Sequence, residues 1–171
     1  MSIMEHEKGE FQTHPFGPLY GPESKVLILG SFPSVKSREI QFFYGHPQNR
    51  FWKVIAALLE KPVPVTVDEK RSLIIDGSLA LWDTIGSCEI RGSSDSSIRN
   101  VTPNDLSVIL GSCDIRKIFC NGKTSFSLYQ KYIEPVTGIR AECLPSTSPA
   151  NAAWSLQALT EEWKKILQFT D

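Results

Sequence analysis

The chain has 171 residues, 41% of them hydrophobic, which suffices for one well-buried core and lies above the size at which small domains depend on disulfides or metals. Its formal charge of -1 excludes a protein that coats nucleic acid through bulk electrostatics, because such binding rests on neutralising many phosphates; a local grip on a few phosphates stays compatible with it. The four cysteines, Cys88, Cys113, Cys120 and Cys143, form no Cys-x-x-Cys pair and have no His-x-x-His companion, so reduced, mostly buried thiols are expected, with no metal and no other cofactor.

In chain order, Met1 to Glu10 is polar and mixed in charge, without the apolar run of a signal peptide. No later stretch reaches the roughly 18 apolar residues of a membrane span. A cytoplasmic protein without membrane contact is therefore expected. Residues 1–24 read as an N-terminal extension and loop, rich in Pro and Gly from His14 to Glu23, and residues 25–171 as a single domain. Lys25 to Leu29 is short, apolar and β-branched and stops at Gly30, which predicts a buried strand. From Asn49 to Leu59 the apolar residues Phe51, Trp52, Ile55, Leu58 and Leu59 recur at helical spacing between Pro47 and Pro62.

A second helix is predicted over Asp68 to Asp76, and a short strand from Leu79 that runs into a turn by Ile85. Glu89 to Asn100 is polar and dense in Ser and Gly, a loop long enough to suggest function. Pro103 to Leu110 has a helical pattern with Thr102 as its cap. Ile115 to Cys120 predicts a strand ended by Asn121-Gly122, Lys123 to Tyr132 a helix, and Arg140 to Leu144 the last strand. Pro149 to Phe169 should contain a long terminal helix. Strands alternating with helices imply an α/β fold of three layers, α/β/α, around a central, mostly parallel four-stranded sheet. Ligands bind such sheets outside the carboxyl ends of the strands, so the informative residues should follow Leu29, Trp82, Cys120 and Leu144.

Two segments stand out there. Gly30-Ser-Phe-Pro-Ser34 follows the first strand, and Phe42-Phe-Tyr-Gly-His-Pro-Gln-Asn-Arg-Phe-Trp52 comes some ten residues later. Phe42 and Phe43 suit a role in covering the sheet end, whereas Tyr44 beside Asn49 suits a ligand site. Arg38, Arg50 and Lys53, with Arg91 and Arg99, are compatible with a local basic face or with ordinary solvated charge.

These segments resemble the first motif of the mismatch-specific uracil and thymine DNA glycosylases of the uracil-DNA glycosylase superfamily, where Gly-x-Asn-Pro-Gly ends a strand and His-Pro-x-Asn-Arg-Phe-Trp follows. Cys120-Asn-Gly122 and Leu144-Pro-Ser-Thr-Ser-Pro-Ala-Asn-Ala152 extend the likeness to the C-terminal part of the chain. The family's water-activating Asn or Asp corresponds here to Phe32, which can neither orient nor deprotonate water. The hypoxanthine-DNA glycosylase group, with Gly-Ser-x-Pro-Ser and Tyr-Gly-His-Pro-x-Asn-Arg-Phe-Trp, is more similar. That resemblance implies deoxyinosine in double-stranded DNA as substrate and moves the catalytic role to Asn49.

On this reading Asn49 orients the water, Asn121 hydrogen-bonds the edge of the flipped base, and Tyr44 stacks on it, with Tyr44→Phe nearly silent. Gly30 and Ser31 offer backbone N–H groups, and Phe32 lines the same pocket. Ser34, His46, Ser146, Thr147, Ser148 and Asn151 contact the DNA, aided by the dipole of a helix opening near Pro149. Cleavage through an oxocarbenium-like sugar tolerates the missing base, since a site that holds the departing charge and positions water still accelerates it. No obvious carboxylate pair is seen at the strand ends, so a slow enzyme is expected; Asp83 is the acid to test as a substitute base. Restoring Asn or Asp at position 32 should add activity on uracil, unless Phe32 is a core residue.

Plainer roles compete. Asn121 before Gly122 suits a left-handed turn, Ser146 to Asn151 a helix cap, and His46 a histidine that holds its loop. Trp52, Trp154 and Trp163 read as core or helix-face residues. Asn121-Gly-Lys-Thr124 resembles the tail of a phosphate-binding loop, but Lys117 stands where that loop needs Gly. No Gly-x-Ser-x-Gly elbow supports a serine hydrolase, and no zinc-deaminase motif occurs. The alternative outside catalysis is a glycosylase-fold DNA-binding module that has lost activity. A monomer is expected; protein partners are not legible.

Overall fold

The computed structural model describes residues 9–171; of the N-terminal segment read above as free of a signal peptide, residues 1–8 lie outside the described part. The frame is a four-stranded, all-parallel sheet in the order β3-β2-β6-β7, from Leu79–Asp83 (β3), Val26–Gly30 (β2), Lys117–Asn121 (β6) and Ala141–Leu144 (β7). β2 is buried at every position, as a central parallel strand covered on both faces must be. Its Leu29 is paired with Trp82 on one side and Cys120 on the other, so three strands end level and their carboxyl ends form one ledge.

Helices flank this sheet. Val35–Ile40 (α1) is capped by Ser34, whose Oγ accepts from Ser37 N. Phe51–Leu58 (α2) buries six of its eight residues, a composition that only a two-sided interior accommodates. Val67–Asp76 (α3) starts in a capping box: Thr66 Oγ1 accepts from Glu69 N while Glu69 reaches back to Val65 N. Ser107–Leu110 (α4) is one turn; Lys123–Leu128 (α5) runs through a π-turn into Glu134–Thr137 (α6). Leu156–Trp163 (α7) closes the chain and packs Trp163 edge-on against Phe51 at 5.9 Å.

A second sheet corrects three expectations. Glu10–Thr13 (β1), Ile85–Ile90 (β4) and Arg99–Pro103 (β5) form an antiparallel sheet in the order β1-β4-β5. Residues 10–13, read as extension, are thus a strand. The stretch from Glu89 to Asn100 is not all loop, since β4 and β5 enclose only a short turn with a 3-10 helix at Asp95–Ser97. Thr102 and Pro103 lie in β5 and do not start a helix. The Ser-rich composition hid a hairpin whose partner strand comes from far away in sequence. The C-terminal helix also starts later than read: Ser155 caps α7 with its Oγ on Ala158 N, so no helix opens at Pro149. The chain passes from one sheet to the other at the buried Thr84, where Asn104 Nδ2 donates to the carbonyls of Asp83 and Ile85.

The main core lies between the parallel sheet and its helices and includes Phe42, Phe43, Trp52 and Trp163; a smaller cluster of Phe32, Ile85, Cys88 and Ile90 seals the second sheet. Phe42 stacks on Trp52 at 6.1 Å, and Phe43 meets Phe16 edge-on, so both cover the sheet end. All four cysteines are free thiols. Burial pushes Cys88 up to about 11 and Cys120 up to about 12, which keeps them protonated at neutral pH.

Candidate active site

A cavity of about 340 Å³ opens at the carboxyl ends of the parallel strands. Its wall brings together Gly30, Ser31, Phe32 and Ser34 after β2, Tyr44, His46 and Asn49 before α2, Asn121 after β6, and Ser146, Thr147 and Ser148 after β7. Segments more than a hundred residues apart thus meet because parallel strands all point their ends at one edge.

One side of the cavity is a closed polar network centred on Thr147. Its hydroxyl donates to Asn49 Oδ1 at 2.8 Å and accepts from Asn121 Nδ2 at 3.0 Å, while its N–H donates to Asn121 Oδ1 at 3.0 Å. Asn49 Oδ1 also accepts from Phe51 N at 2.9 Å, so Asn49 caps the first turn of α2. Because a backbone N–H must meet an oxygen, this bond fixes the amide orientation. Only the Asn49 Nδ2 is left to face a ligand, as a donor. Thr147 is fully buried, which corrects the expectation that it touches DNA: its hydroxyl is consumed in joining two amides. Asn121 ends β6 in strand geometry; the left-handed position is Gly122, at φ 97°, where a Cβ would press on Ser146.

The loop after β7 is held by its own polar groups. Ser146 Oγ accepts from Ser148 N, Ser148 Oγ from Ala150 N, and Asn151 Nδ2 donates to Ser146 O. Arg50 clamps it from α2, donating to the carbonyls of Asn151 and Trp154. Arg38 likewise donates to Pro33 O and Gly92 O, and Arg99 to Ser96 O and Ile98 O. Three of the five cations proposed for a basic face therefore tie loops together. His46 Nδ1 accepts from Gln48 N, the loop-holding role weighed above, while the ring still borders the cavity.

The other side of the cavity holds two carboxylates and an orphaned hydroxyl. Asp83, at the end of β3, is 4% exposed, and its Oδ2 lies 2.6 Å from His14 Nε2. His14 was missed: it sits in the segment set aside as extension, 69 residues from its partner, with no local pattern to mark it. The pairing of β1 with β4 continues to His14 N on Gly86 O, and this register delivers the imidazole against Trp82, 4.5 Å between ring centroids. Asp83 Oδ1 lies over the Cα of Gly30, where any side chain would collide with it.

Asp95 was missed as well. It borders the cavity from the β4–β5 turn, with Ser31 Oγ donating to its Oδ1 at 3.0 Å. The residue is exposed at the rim, yet surrounding protein desolvates the carboxyl enough to raise it above the usual aspartate range, against the lowering by Ser31. Asp83 and Asp95 share this cavity, the first at a strand end and the second from the β4–β5 turn, so the strand ends by themselves supply no carboxylate pair.

Tyr44 adopts φ 51°, a left-handed conformation that costs an aromatic residue about 1–3 kcal/mol. This turn stacks its ring on Phe51 at 4.0 Å and drives its hydroxyl into the cavity floor. The hydroxyl is buried and has no hydrogen-bond partner among the described residues; the Asn121 amide and the Asp83 carboxylate are near it but out of bonding geometry. Burial, reinforced by Asp83, raises its pKa far above a normal phenol, so it is a neutral donor at any working pH. Phe32 is 8% exposed and packs in the smaller core cluster, with Arg38 5.5 Å over its ring, while its edge contributes to the cavity wall.

A parallel α/β sheet with a polar cavity at its strand ends, lined by two Asn-bearing loops and a Ser-rich loop, defines an α/β protein with a ligand site at the usual edge of such a sheet. Comparison with known proteins makes the family specific. Residues 18–169 match the family described as the uracil DNA glycosylase superfamily, and the chain belongs to it. It is similar to a hypoxanthine DNA glycosylase of Methanosarcina acetivorans, 27% identical over 154 residues that cover 90% of this chain and 96% of that one. A hypoxanthine DNA glycosylase of Methanosarcina barkeri is 25% identical over 155 residues, covering 90% and 96%. The fold matches a solution structure from M. acetivorans, named as a candidate uracil DNA glycosylase, with TM-score 0.78, 27% identity and coverage of 93% and 98%. The chain is a monofunctional DNA glycosylase, a hydrolase of N-glycosyl bonds. Among the described residues no helix is long and apolar enough to cross a membrane.

Proposed function

We propose that this enzyme excises hypoxanthine from deoxyinosine in double-stranded DNA, with uracil and mismatched thymine as secondary substrates, acting as a cytoplasmic monomer. The observation that carries the reading is the Asn49 amide. Its oxygen is occupied by Thr147 and Phe51, so its NH2 group stands at the cavity wall with a fixed direction. Such a donor holds a water by its oxygen on the sugar side, or meets charge growing on the departing base; either is useful because it is already oriented and loses nothing to reorganisation. Glycosidic cleavage then needs no strong base, since the oxocarbenium-like sugar accepts a weakly activated water. Asn121 Nδ2 lies on the same wall with one hydrogen left over from its bond to Thr147, and in this reading that hydrogen meets the base.

DNA enters from the rim. Ser34, His46, Ser146 and Ser148 line the cavity and Asn151 lies in the depression beside it, and in this reading they meet the backbone on either side of the flipped nucleotide. The names of the Methanosarcina relatives support hypoxanthine as the base, as does the resemblance of Gly30-Ser-Phe-Pro-Ser34 to the first motif of the hypoxanthine-DNA glycosylase group. Abasic-site formation on matched duplexes carrying inosine, uracil, xanthine or a G·T mispair tests the proposal. Fastest cleavage at inosine is expected. Tight binding to the inosine duplex without any abasic product would establish a DNA-binding module in place of an enzyme.

A further inference from the structure

Two features of the cavity floor are left unused by the reaction as described. The Tyr44 hydroxyl is buried without a partner, and Asp83 Oδ1 carries no hydrogen bond among the described residues, because His14 occupies Oδ2 alone. Both atoms border the space directly over Gly30, the one residue type whose lack of a side chain keeps that space open. A donor and an acceptor therefore stand side by side at a buried part of the cavity wall, next to a Tyr44 backbone held in the left-handed region. Depth decides what they meet. The sugar of a flipped nucleotide stays tied to the DNA at the rim, so the groups at the floor face the far edge of the base.

We propose that Asp83 and Tyr44 read the edge of the flipped base, the Asp83 Oδ1 accepting from its ring N–H and the Tyr44 hydroxyl donating to the adjacent carbonyl. The pattern H–N–C=O is the one that hydrolytic deamination creates. Hypoxanthine and xanthine present it at N1 and C6, and uracil at N3 and C4; adenine and cytosine present the reverse, a bare ring nitrogen beside an amino group. Against adenine, Asp83 would face a lone pair, and a buried acceptor left facing an acceptor is heavily penalised. Guanine and paired thymine share the lactam edge, so they are rejected by other means, while thymine in a mispair is admitted as a secondary substrate. The inference rests on the glycosylase reading for its ligand, and it assigns the floor to substrate choice and leaves the water to the Asn49 side.

The test combines excision with binding of free bases. Single-turnover cleavage is measured on duplexes carrying deoxyinosine, N1-methyldeoxyinosine or deoxyadenosine, and calorimetry measures binding of free hypoxanthine and N1-methylhypoxanthine. Wild-type protein should favour hypoxanthine over its N1-methyl form at least about tenfold in both assays. Tyr44→Phe, which keeps the ring and its stack on Phe51, should slow hypoxanthine excision about tenfold with an unchanged thermal melt. Asp83→Asn, which can turn its amide to donate, should narrow the hypoxanthine-to-adenine ratio about tenfold or more. Equal use of the N1-methyl base by wild type, or full activity of a folded Tyr44→Phe, would overturn the proposal. Base binding with the stated preference but no cleavage of any duplex would overturn the glycosylase reading alone, and cleavage without the preference would overturn the edge reading alone.

Discussion

The two walls of the cavity are built from similar residues and do opposite things with them. On the Thr147 side every oxygen of the Asn49 and Asn121 amides has a partner within the protein, and the wall is rigid because it is satisfied. On the Asp83 side a carboxylate oxygen and a phenol stay unpaired among the described residues beside a left-handed turn, the carboxylate held by His14 and the phenol ring by its stack on Phe51. A satisfied network holds its geometry at no cost when substrate arrives, while orphaned groups cost stability until a ligand meets them. On the proposed edge reading Tyr44→Phe is not silent, since the hydroxyl then has work the ring does not share.

The largest effect expected is on folding. Phe32→Asn removes a ring from the cluster with Ile85, Cys88 and Ile90 and leaves a polar group there, so a loss of about 3–5 kcal/mol is expected in a denaturant melt. The gain on uracil expected from the sequence comparison should then be absent in the fraction that folds. A variant as stable as wild type would show that position 32 belongs to the cavity and not to the core.

Next comes Asn49→Ala, predicted to lower the single-turnover rate about a hundredfold or more, the scale of one preorganised donor. Because Asn49 also caps α2, a further loss of about 1 kcal/mol in stability is expected, which a purely catalytic residue would not show. Asn49→Asp separates the roles: it keeps an oxygen for Phe51 and Thr147 but loses the NH2. An undiminished rate in that variant would mean that the donor is not what Asn49 supplies.

Thr147→Val tests the scaffold itself. Removing the shared hydroxyl leaves two amides short of a partner, for about 1–3 kcal/mol of stability. The rate should fall about tenfold through looser placement of Asn49, while free-base binding at the floor stays near wild type. Equal damage to both would show that the two walls are not independent.

The smallest effect is expected at the rim. Desolvation raises the Asp95 carboxyl above its unfolded value, so its relative contribution to stability is full below the ordinary aspartate range and is lost as pH rises through the folded pKa. Asp95→Asn, which still accepts from Ser31, should therefore melt slightly higher than wild type at neutral pH, with the gap closing as pH falls into the acid range. A gap that widens toward acid would reverse the assigned cause.

Much of this was legible in the chain. The apolar runs at Val26–Gly30 and Lys117–Asn121 are strands because a central parallel strand must be apolar on both faces, and that pattern is local. Asn121 could be singled out because it stands at the carboxyl end of such a strand, while Tyr44 and Asn49 stood out in the loop before α2 and took their expected roles from the family resemblance. β1, β4 and β5 were hidden by the same logic. Their faces are partly solvated and their pairing joins residue 10 to residue 90, so no local periodicity carries it.

What only the tertiary structure decided is which polar atoms are spent and which are free. Sequence placed Thr147 at the DNA, and packing turned it inward to hold two amides. Composition counted Arg38, Arg50 and Arg99 as a basic face, and the folded loops took them as clamps. His14 reached Asp83 only because a strand register carried it there. Residue types and spacing determine the edge of the sheet at which chemistry collects. Hydrogen bonds are directional and saturable, so the role of each group at that edge is settled by partners that arrive from elsewhere in the chain.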